Sequence, residues 1–188
     1  MHVKTLLAEV GRRIFFSVAG LMVICCIASS VAVAAEPTEN AVKVAYLYNF
    51  ALFVDWPSDT WTDNDETFNV CILGVNTFGR ALDSLRGKTI KTREVSVVQI
   101  NTAAEADQCQ ILFISQSERQ QVLHIIEQVN RKPSLTISDM TNFVQSGGMI
   151  GLFTDEGRIQ FEINKPAAEQ AGLTISSHVL RLAKRRTP

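Results

Sequence analysis

The chain has 188 residues, of which 46% are hydrophobic and 20% charged, and its formal net charge is -1 at pH 7. This composition excludes a disordered or collagen-like chain, because those classes are poor in large apolar residues. The near-neutral charge disfavours a nucleic-acid-binding protein, since contact with phosphates requires an excess of Lys and Arg. Four cysteines are too few for a disulfide scaffold and too scattered for a zinc site.

Residues 1–35 have the pattern of a secretory signal peptide. Lys4, Arg12 and Arg13 form a basic start, no charged residue lies between Ile14 and Ala35, and the segment ends in small residues. We therefore expect residues 1–35 to be cleaved and residues 36–188 to form one exported domain. The alternative is an N-terminal membrane anchor, because the apolar run could just span roughly 30 Å of hydrocarbon.

Removal of this segment would change the net charge and the number of cysteines. Residues 1–35 hold three Lys or Arg and one Glu, so 15 basic and 18 acidic residues remain, a net charge of -3. Cys71 and Cys109 are then the only cysteines.

The first element that we predict in the exported domain is a helix, capped by Thr38 or Asn40 and ended by Pro57. Six aromatic side chains crowd this helix and its exit: Tyr46, Tyr48, Phe50, Phe53, Trp56 and Trp61. Part of this area is expected in the core. Whether the rest is a docking patch, for which Tyr and Trp are favoured, stays open.

Short apolar runs alternate with helical patterns through the middle of the chain. Strands are predicted at 68–74, 94–100, 110–115 and 134–138, with helices at 77–85 and 117–130 and a loop at 101–108. Runs that are apolar on both faces are typical of parallel strands covered by helices on both sides. The order of elements therefore predicts an α/β domain with a mostly parallel sheet.

The pattern changes near the C-terminus. Asp155-Glu156-Gly157 is a hairpin turn signal between two strand-like runs. A short helix starts at Lys165 with Pro166 in its first turn, and a last helix follows its cap at Ser177. The predicted fold is thus α/β, a single three-layer-like domain with a mostly parallel sheet plus a C-terminal β-hairpin and helix.

The two remaining cysteines allow two interpretations. Cys71 lies in one predicted strand and Cys109 at the start of another, so neighbouring parallel strands could bring them within disulfide reach. Export favours oxidation. The alternative is two buried thiols that pack as small hydrophobic side chains.

The sequence offers little for catalysis. Ser115 or Ser138, His178 and Asp139 could form a hydrolase triad on paper, but no G-x-S-x-G motif and no phosphate-binding glycine loop is present. The acidic loop after Asp55 lacks the alternation of a calcium loop. We expect no enzyme, no cofactor and no metal site.

Two surface hypotheses remain near the C-terminus. Ser176, His178 and Arg181, at the start of the last helix, could together hold a small anion, which would make the protein a small-ligand binding module. The apolar residues Phe161, Ile163, Leu173 and Ile175 could be core or docking surface.

Five segments together resemble the YfiR family. They are AYLYNFALFVDWP (45–57), FGRALDSLRGK (78–88), CQILFIS (109–115), the LTISDM…GGMI stretch (135–150) and RIQFEIN…AGLTISSHVLRLA (158–183). They cover nearly all of the exported chain in order, which makes the combination specific.

The resemblance implies a periplasmic, non-enzymatic repressor. Family members are similar in binding the periplasmic portion of an inner-membrane diguanylate cyclase, and an outer-membrane lipoprotein can sequester the repressor. Cys71 and Cys109 match one family disulfide, whereas a second family pair has no counterpart here. The partner-binding candidates implied by the resemblance are Phe161, Glu162, Ile163, Leu173 and Ile175. The sequence leaves open whether the protein forms a homodimer.

Overall fold

The computed structural model describes residues 37–61 and 66–184. These residues belong to one compact unit. The predicted signal peptide at 1–35 lies outside the described residues. Within them, no helix combines the length and the apolar character that a membrane crossing would need.

The described residues contain helices, strands and short 3-10 segments. The α-helices are α1 (Glu39–Phe53), α2 (Val122–Val129), α3 (Lys165–Gln170) and α4 (Ser177–Leu182). The strands are β1 (Val54–Asp55), β2 (Thr67–Leu73), β3 (Thr89–Ile90), β4 (Arg93–Ile100), β5 (Ile111–Ile114), β6 (Leu135–Ser138), β7 (Ile150–Asp155), β8 (Arg158–Ile163) and β9 (Thr174–Ile175). The 3-10 segments are Ser58–Thr60, Gly79–Leu85, Ala103–Gln108 and Gln116–Gln121.

Seven strands form one sheet in the order β3-β4-β2-β5-β6-β7-β8, and β1 pairs with β9 in a separate ribbon. The strands β4, β2, β5, β6 and β7 run parallel, whereas β3 and β8 are antiparallel to their neighbours. The predicted fold class, a mostly parallel α/β sheet with a C-terminal hairpin and helix, is confirmed.

The alternation of side chains along the central strands divides the core in two. In β2, Val70 and Ile72 pack into a large cluster with α1, whereas Cys71 and Leu73 pack into a smaller cluster with α2. Successive side chains of a strand point to opposite faces, so a strand buried on both sides must be apolar throughout. This is why the central strands read as continuous apolar runs.

Several predicted elements differ in detail from the observed ones. The predicted helix at 77–85 is the 3-10 segment Gly79–Leu85, and the predicted helix at 117–130 divides into Gln116–Gln121 and α2. The predicted loop at 101–108 contains Ala103–Gln108, which starts with a capping box between Thr102 and Glu105. The cap of α4 is Ser176 rather than Ser177, because the Ser176 hydroxyl accepts a bond from Val179 N at 3.4 Å.

The predicted hairpin turn at Asp155-Glu156-Gly157 joins β7 to β8. Glu156 and Gly157 have φ values of 47° and 75° between the paired residues Asp155 and Arg158. Two consecutive positive φ values define the type I′ turn that suits the twist of a two-residue hairpin. The turn fixes the register in which β8 pairs with β7.

A disulfide joins Cys71 to Cys109, with 5.7 Å between the two Cα atoms. It is one of the two arrangements that the sequence left open. Cys71 is in β2, and Cys109 directly follows the 3-10 segment Ala103–Gln108, two residues before β5 begins. Both cysteines are buried in the smaller core cluster, so the bond lies on the face of the sheet opposite to α1.

Candidate partner-binding surface

The C-terminal elements pack around α1. The Tyr46 hydroxyl donates to the carbonyl oxygen of Ile159 in β8 at 3.1 Å. Ser176 N donates to the carbonyl oxygen of Phe53 at 3.0 Å, which ties the start of α4 to the end of α1. Gly172, at φ 75°, lies so close to Pro57 that an added Cβ would be 2.8 Å from Pro57 Cγ. The chain from β8 to α4 is therefore held closely against α1 and its exit.

Three of the five predicted partner-binding residues are part of the core. Phe161, Leu173 and Ile175 are 5%, 1% and 6% exposed. The Phe161 ring packs edge-on against Tyr46 and Phe50, with centroid distances of 5.4 and 5.0 Å. Of the two alternatives that the sequence left open for these three side chains, core and docking surface, their burial supports the core, because all three belong to the large core cluster that also contains the buried face of α1. These three side chains therefore lie beneath the molecular surface and are not directly available to a partner.

Glu162 and Ile163 lie beside a surface groove. The groove has a volume of about 410 Å³ and is lined by Val144, Gln145, Glu162, Ile163, Leu180, Ala183 and Lys184. Glu162 is largely buried, and one of its carboxylate oxygens accepts a bond from Gln145 Nε2 at 3.3 Å. Ile163 and Leu180 pack at the margin of the large core cluster. These two predicted residues therefore border a groove between β8 and α4.

Exposed side chains of α1 and α4 meet at the contact between Phe53 and His178. We define the α1–α4 strip as Leu52, Phe53, His178 and Leu182. The three apolar members are 43%, 41% and 56% exposed. The Phe53 and His178 rings contact each other with 5.7 Å between centroids. The sequence did not single out Leu52 or Leu182, because an exposed leucine on a helix that is apolar on most sides has no distinct pattern.

The aromatic cluster of α1 is mostly interior. Phe50 and Trp56 are buried, and Tyr46, Tyr48 and Trp61 pack partly buried against the same cluster. Of the six aromatic side chains, all of them in the described chain, Phe53 alone is exposed. The aromatic surplus therefore serves the core at five positions and the α1–α4 strip at one.

The predicted small-ligand residues take separate roles. Ser176 caps α4 through its hydroxyl, His178 packs on Phe53, and Arg181 is exposed. The neighbouring groove is lined by other residues of α4 and its C-terminal end. The anion-binding hypothesis stays a prediction.

A charged cluster fixes the other end of α1. Lys43 Nζ lies 2.7 Å from Asp139 Oδ2 and 2.7 Å from Glu39 Oε1. Burial by itself lowers the pKa of Lys43, but the hydrogen bonds and negative charges of Asp139 and Glu39 outweigh it, so the pKa is raised. The ammonium group therefore stays charged and links the first turns of α1 to the end of β6.

The residues of the hypothetical hydrolase triad have structural partners. The buried Ser138 hydroxyl donates to the carbonyl oxygen of Ile114 at 2.7 Å and accepts a bond from Met140 N at 3.1 Å. Asp139 is paired with Lys43. Across the described residues, no group of three or more His, Cys, Asp or Glu side chains is placed to hold a metal ion.

These features describe an α/β domain whose distinguishing surface is an apolar strip next to a groove. The family model described as YfiR/HmsC-like matches residues 40–184. The chain belongs to the YfiR/HmsC-like family. No curated protein matches the chain.

A solved structure supports the fold independently. A conserved domain protein from Vibrio cholerae O1 biovar El Tor is similar to this chain with a TM-score of 0.51 and 16% sequence identity. The match covers 78% of this chain and 59% of that one, so this chain corresponds to little more than half of that protein. At this identity, the likeness concerns the fold alone.

Proposed function

We propose that this protein is a non-enzymatic periplasmic regulator that lowers cyclic-di-GMP signalling. It binds the periplasmic portion of an inner-membrane diguanylate cyclase and favours its inactive arrangement, and an outer-membrane lipoprotein relieves the repression by competing for the regulator. The observation that carries this proposal is the match to the YfiR/HmsC-like family over residues 40–184. The N-terminal sequence supports export, with residues 1–35 as a cleavable signal peptide and 36–188 as the working domain.

The surface that best suits the partner is the α1–α4 strip together with the groove at Glu162 and Ile163. Exposed apolar side chains next to a polar rim are typical of sites that bind another protein. Two residues of the strip, His178 and Leu182, lie on α4, whose Leu180 borders the groove together with Ala183 directly after the helix. A partner that covers both would contact α4 from two directions.

The first experiment measures cellular cyclic-di-GMP in a strain that lacks the gene and in its parent. We expect a rise on deletion, reversed by the complete gene but not by a version that lacks codons for residues 1–35. An unchanged level would contradict the proposal. Titration calorimetry of the protein with nucleotides and amino acids would then test the small-ligand hypothesis at Ser176, His178 and Arg181.

A second experiment tests export and processing. The intact mass of the protein recovered from the periplasm should equal that of residues 36–188 less the two hydrogen atoms lost in the Cys71–Cys109 bond. A membrane-bound protein of full mass would instead identify residues 1–35 as an anchor. That result would leave the cyclase proposal standing and change only how the domain is held in the periplasm.

A further inference from the structure

The strand β3 covers only the first part of β4 at one edge of the seven-stranded sheet. β4 spans Arg93–Ile100, whereas β3 pairs with its first two residues, Arg93 and Glu94. Val95 N still donates to the carbonyl oxygen of Lys88, directly before β3. Among the described residues, no strand pairs with the rest of β4 on this side. The later half of β4 is therefore an open edge.

The main-chain groups that this open edge presents follow from the bonds of the residues before it. Glu94 N donates to the carbonyl oxygen of Glu66 on the β2 side, whereas Val95 N donates on the β3 side. Alternate residues of a strand direct their N–H and C=O groups to opposite sides. Val97 and Gln99 therefore direct both of these groups away from the sheet.

The open edge is short and has a folded flank at each end. At one end lies β3. At the other, Asn101 N donates to Glu105 Oε1 at 3.1 Å, which occupies the donor two residues after Gln99. Gln99 Nε2 donates to the carbonyl oxygens of Ile72 at 3.0 Å and Gly74 at 2.7 Å, so this end of β4 is held against β2. A short stretch between two flanks has room for a slender extended segment and hinders the edge of another folded domain.

This stretch also lacks two features that commonly block strand addition. Native edge strands often carry charged side chains or proline, which prevent another strand from pairing with them. The segment from Val95 to Ile100 has no charged residue and no proline. The outward donors and acceptors of Val97 and Gln99 are therefore accessible to another extended main chain.

A groove borders the open edge. It has a volume of about 430 Å³, and its lining includes the apolar residues Leu82, Val95 and Val97. Asp83 and Arg86 also line it, and Arg86 Nε lies 3.0 Å from Asp83 Oδ1, so the two opposite charges balance. A side chain that enters this groove meets apolar contacts and no net charge.

We propose that the open edge of β4 binds an extended, uncharged segment of a different protein by strand addition. The main chain of that segment exchanges hydrogen bonds with Val97 and Gln99. In this mode of recognition, backbone bonds supply affinity and alternate side chains supply specificity. Successive side chains of the segment point to opposite faces of the sheet, so that an apolar one lies over the groove at Leu82.

The chemistry of the edge selects this kind of occupant. N–H and C=O groups that alternate at strand spacing are matched by another extended main chain, which carries the same groups at the same spacing. The edge is uncharged and the charges of the groove are already paired. A charged side chain placed there would lose water without gaining a counter-ion, which costs free energy. The segment is therefore expected to be uncharged and to favour the strand conformation.

The test is a titration of the isotope-labelled protein, as the producing cell processes it, with a synthetic peptide. The probe is a capped pentapeptide of alternating threonine and valine, a composition that favours strands. We expect the NMR resonances of the Val97 and Gln99 amides to shift progressively, while that of Leu123, a distant residue that is 62% exposed, stays in place. A peptide in which glutamate replaces the valines should bind about tenfold or more weakly.

Two variants at one position test the hydrogen bonds. Val97→Pro removes an outward donor, and an edge strand tolerates proline where the missing N–H faces away from the sheet. Binding followed at the Gln99 amide should weaken about tenfold or more. The matched control Val97→Ala keeps the donor and should bind within about threefold of the wild type. Circular dichroism and urea unfolding establish that both variants are folded.

A modified peptide removes the same bonds from the other side and leaves the protein unchanged. Methylation of every amide nitrogen of the probe abolishes its donors, so we expect it to shift neither the Val97 nor the Gln99 resonance of the wild type. Absence of shifts with the unmodified probe, equal shifts with the methylated one, or unchanged binding by Val97→Pro would each overturn the proposal. Shifts of the same amides at rising protein concentration without peptide would also overturn it, because a second copy would then occupy the edge. The experiment contains no cyclase, so its outcome does not depend on the proposed repression.

Discussion

Lys43 is a buried positive charge with two carboxylate partners, Asp139 and Glu39. Replacing it by methionine should reduce the free energy of unfolding by roughly 3 kcal/mol, because Asp139 would be left largely buried without its counter-ion. The matched control is Lys91→Met. Lys91 lies 2.8 Å from Asp55 in a well-exposed pair, which should contribute less than about 1 kcal/mol. Urea unfolding measures both, and equal losses would contradict the argument.

The same pair predicts a pH dependence. The folded state raises the pKa of Lys43 above its ordinary value, so the pair stabilises the fold fully below the unfolded-state pKa. That stability is lost only as the pH rises through the raised folded-state pKa. We therefore expect the difference between the wild type and Lys43→Met to persist through neutral pH and to shrink in strongly alkaline solution. A difference that disappears below neutrality would show that another group is responsible.

Phe161 tests the distinction between core and surface. Phe161→Ala should cost about 3–4 kcal/mol of unfolding free energy, because the ring fills space between Tyr46 and Phe50. Loss of repression by this variant would then follow from loss of folded protein. A fully stable variant that fails to repress would instead restore Phe161 to the docking surface.

Exposed side chains of α1 and α4 can be changed with little effect on the stability of the fold, so their variants test binding by itself. Phe53→Asp and Leu182→Asp should each leave the urea midpoint within a small margin of the wild type and raise cellular cyclic-di-GMP, because both side chains are exposed on the α1–α4 strip. Leu123→Asp is the matched control, since it replaces an exposed leucine on α2. Repression by both strip variants at the wild-type level would move the partner to another surface.

The sequence predicts best the elements whose ends are determined by neighbouring residues, such as a helix cap or a tight turn. Thr38 caps α1 through its hydroxyl, and the positive φ values at Glu156 and Gly157 suit the turn residues found there. The 3-10 segments were harder, since an i to i+3 hydrogen bond leaves no periodicity distinct from that of a short α-helix. The capping box at Thr102 and Glu105 was the signal that could have revealed Ala103–Gln108.

The candidate surface was less accessible to sequence analysis than the fold. Phe161, Leu173 and Ile175 have the same apolar character as Leu52 and Leu182, and only tertiary packing decides that the first three are buried in the large core cluster while the two leucines are exposed. The family resemblance correctly gave the membership and directed attention to the C-terminal segment. It did not distinguish the side chains that face a partner from those that support them.

In the molecule as a whole, the disulfide and the helix α1 that carries part of the α1–α4 strip lie on opposite sides of the sheet. Closing the loop between Cys71 and Cys109 stabilises the fold by about 4 kcal/mol in the chain-entropy model. The double variant Cys71→Ala with Cys109→Ala should therefore unfold at lower urea concentration but repress normally per folded molecule. The measurement combines unfolding with cyclic-di-GMP normalised to protein level. Lost repression at an unchanged folded amount would show that the two faces are coupled.

The two edge strands of the seven-stranded sheet are covered to different extents, because β3 pairs only with Arg93 and Glu94 of the longer β4. This difference also limits how far the protein can aggregate. Strand addition can propagate into a fibre only when every new subunit offers a fresh template at its far end. Here the far end is β8, whose outward carbonyl groups at Ile159 and Phe161 are already occupied by Tyr46 and Lys184. A strand that added to β4 would therefore find no open carbonyl groups at Ile159 and Phe161 from which addition could continue, so we expect the concentrated protein to resist fibre formation.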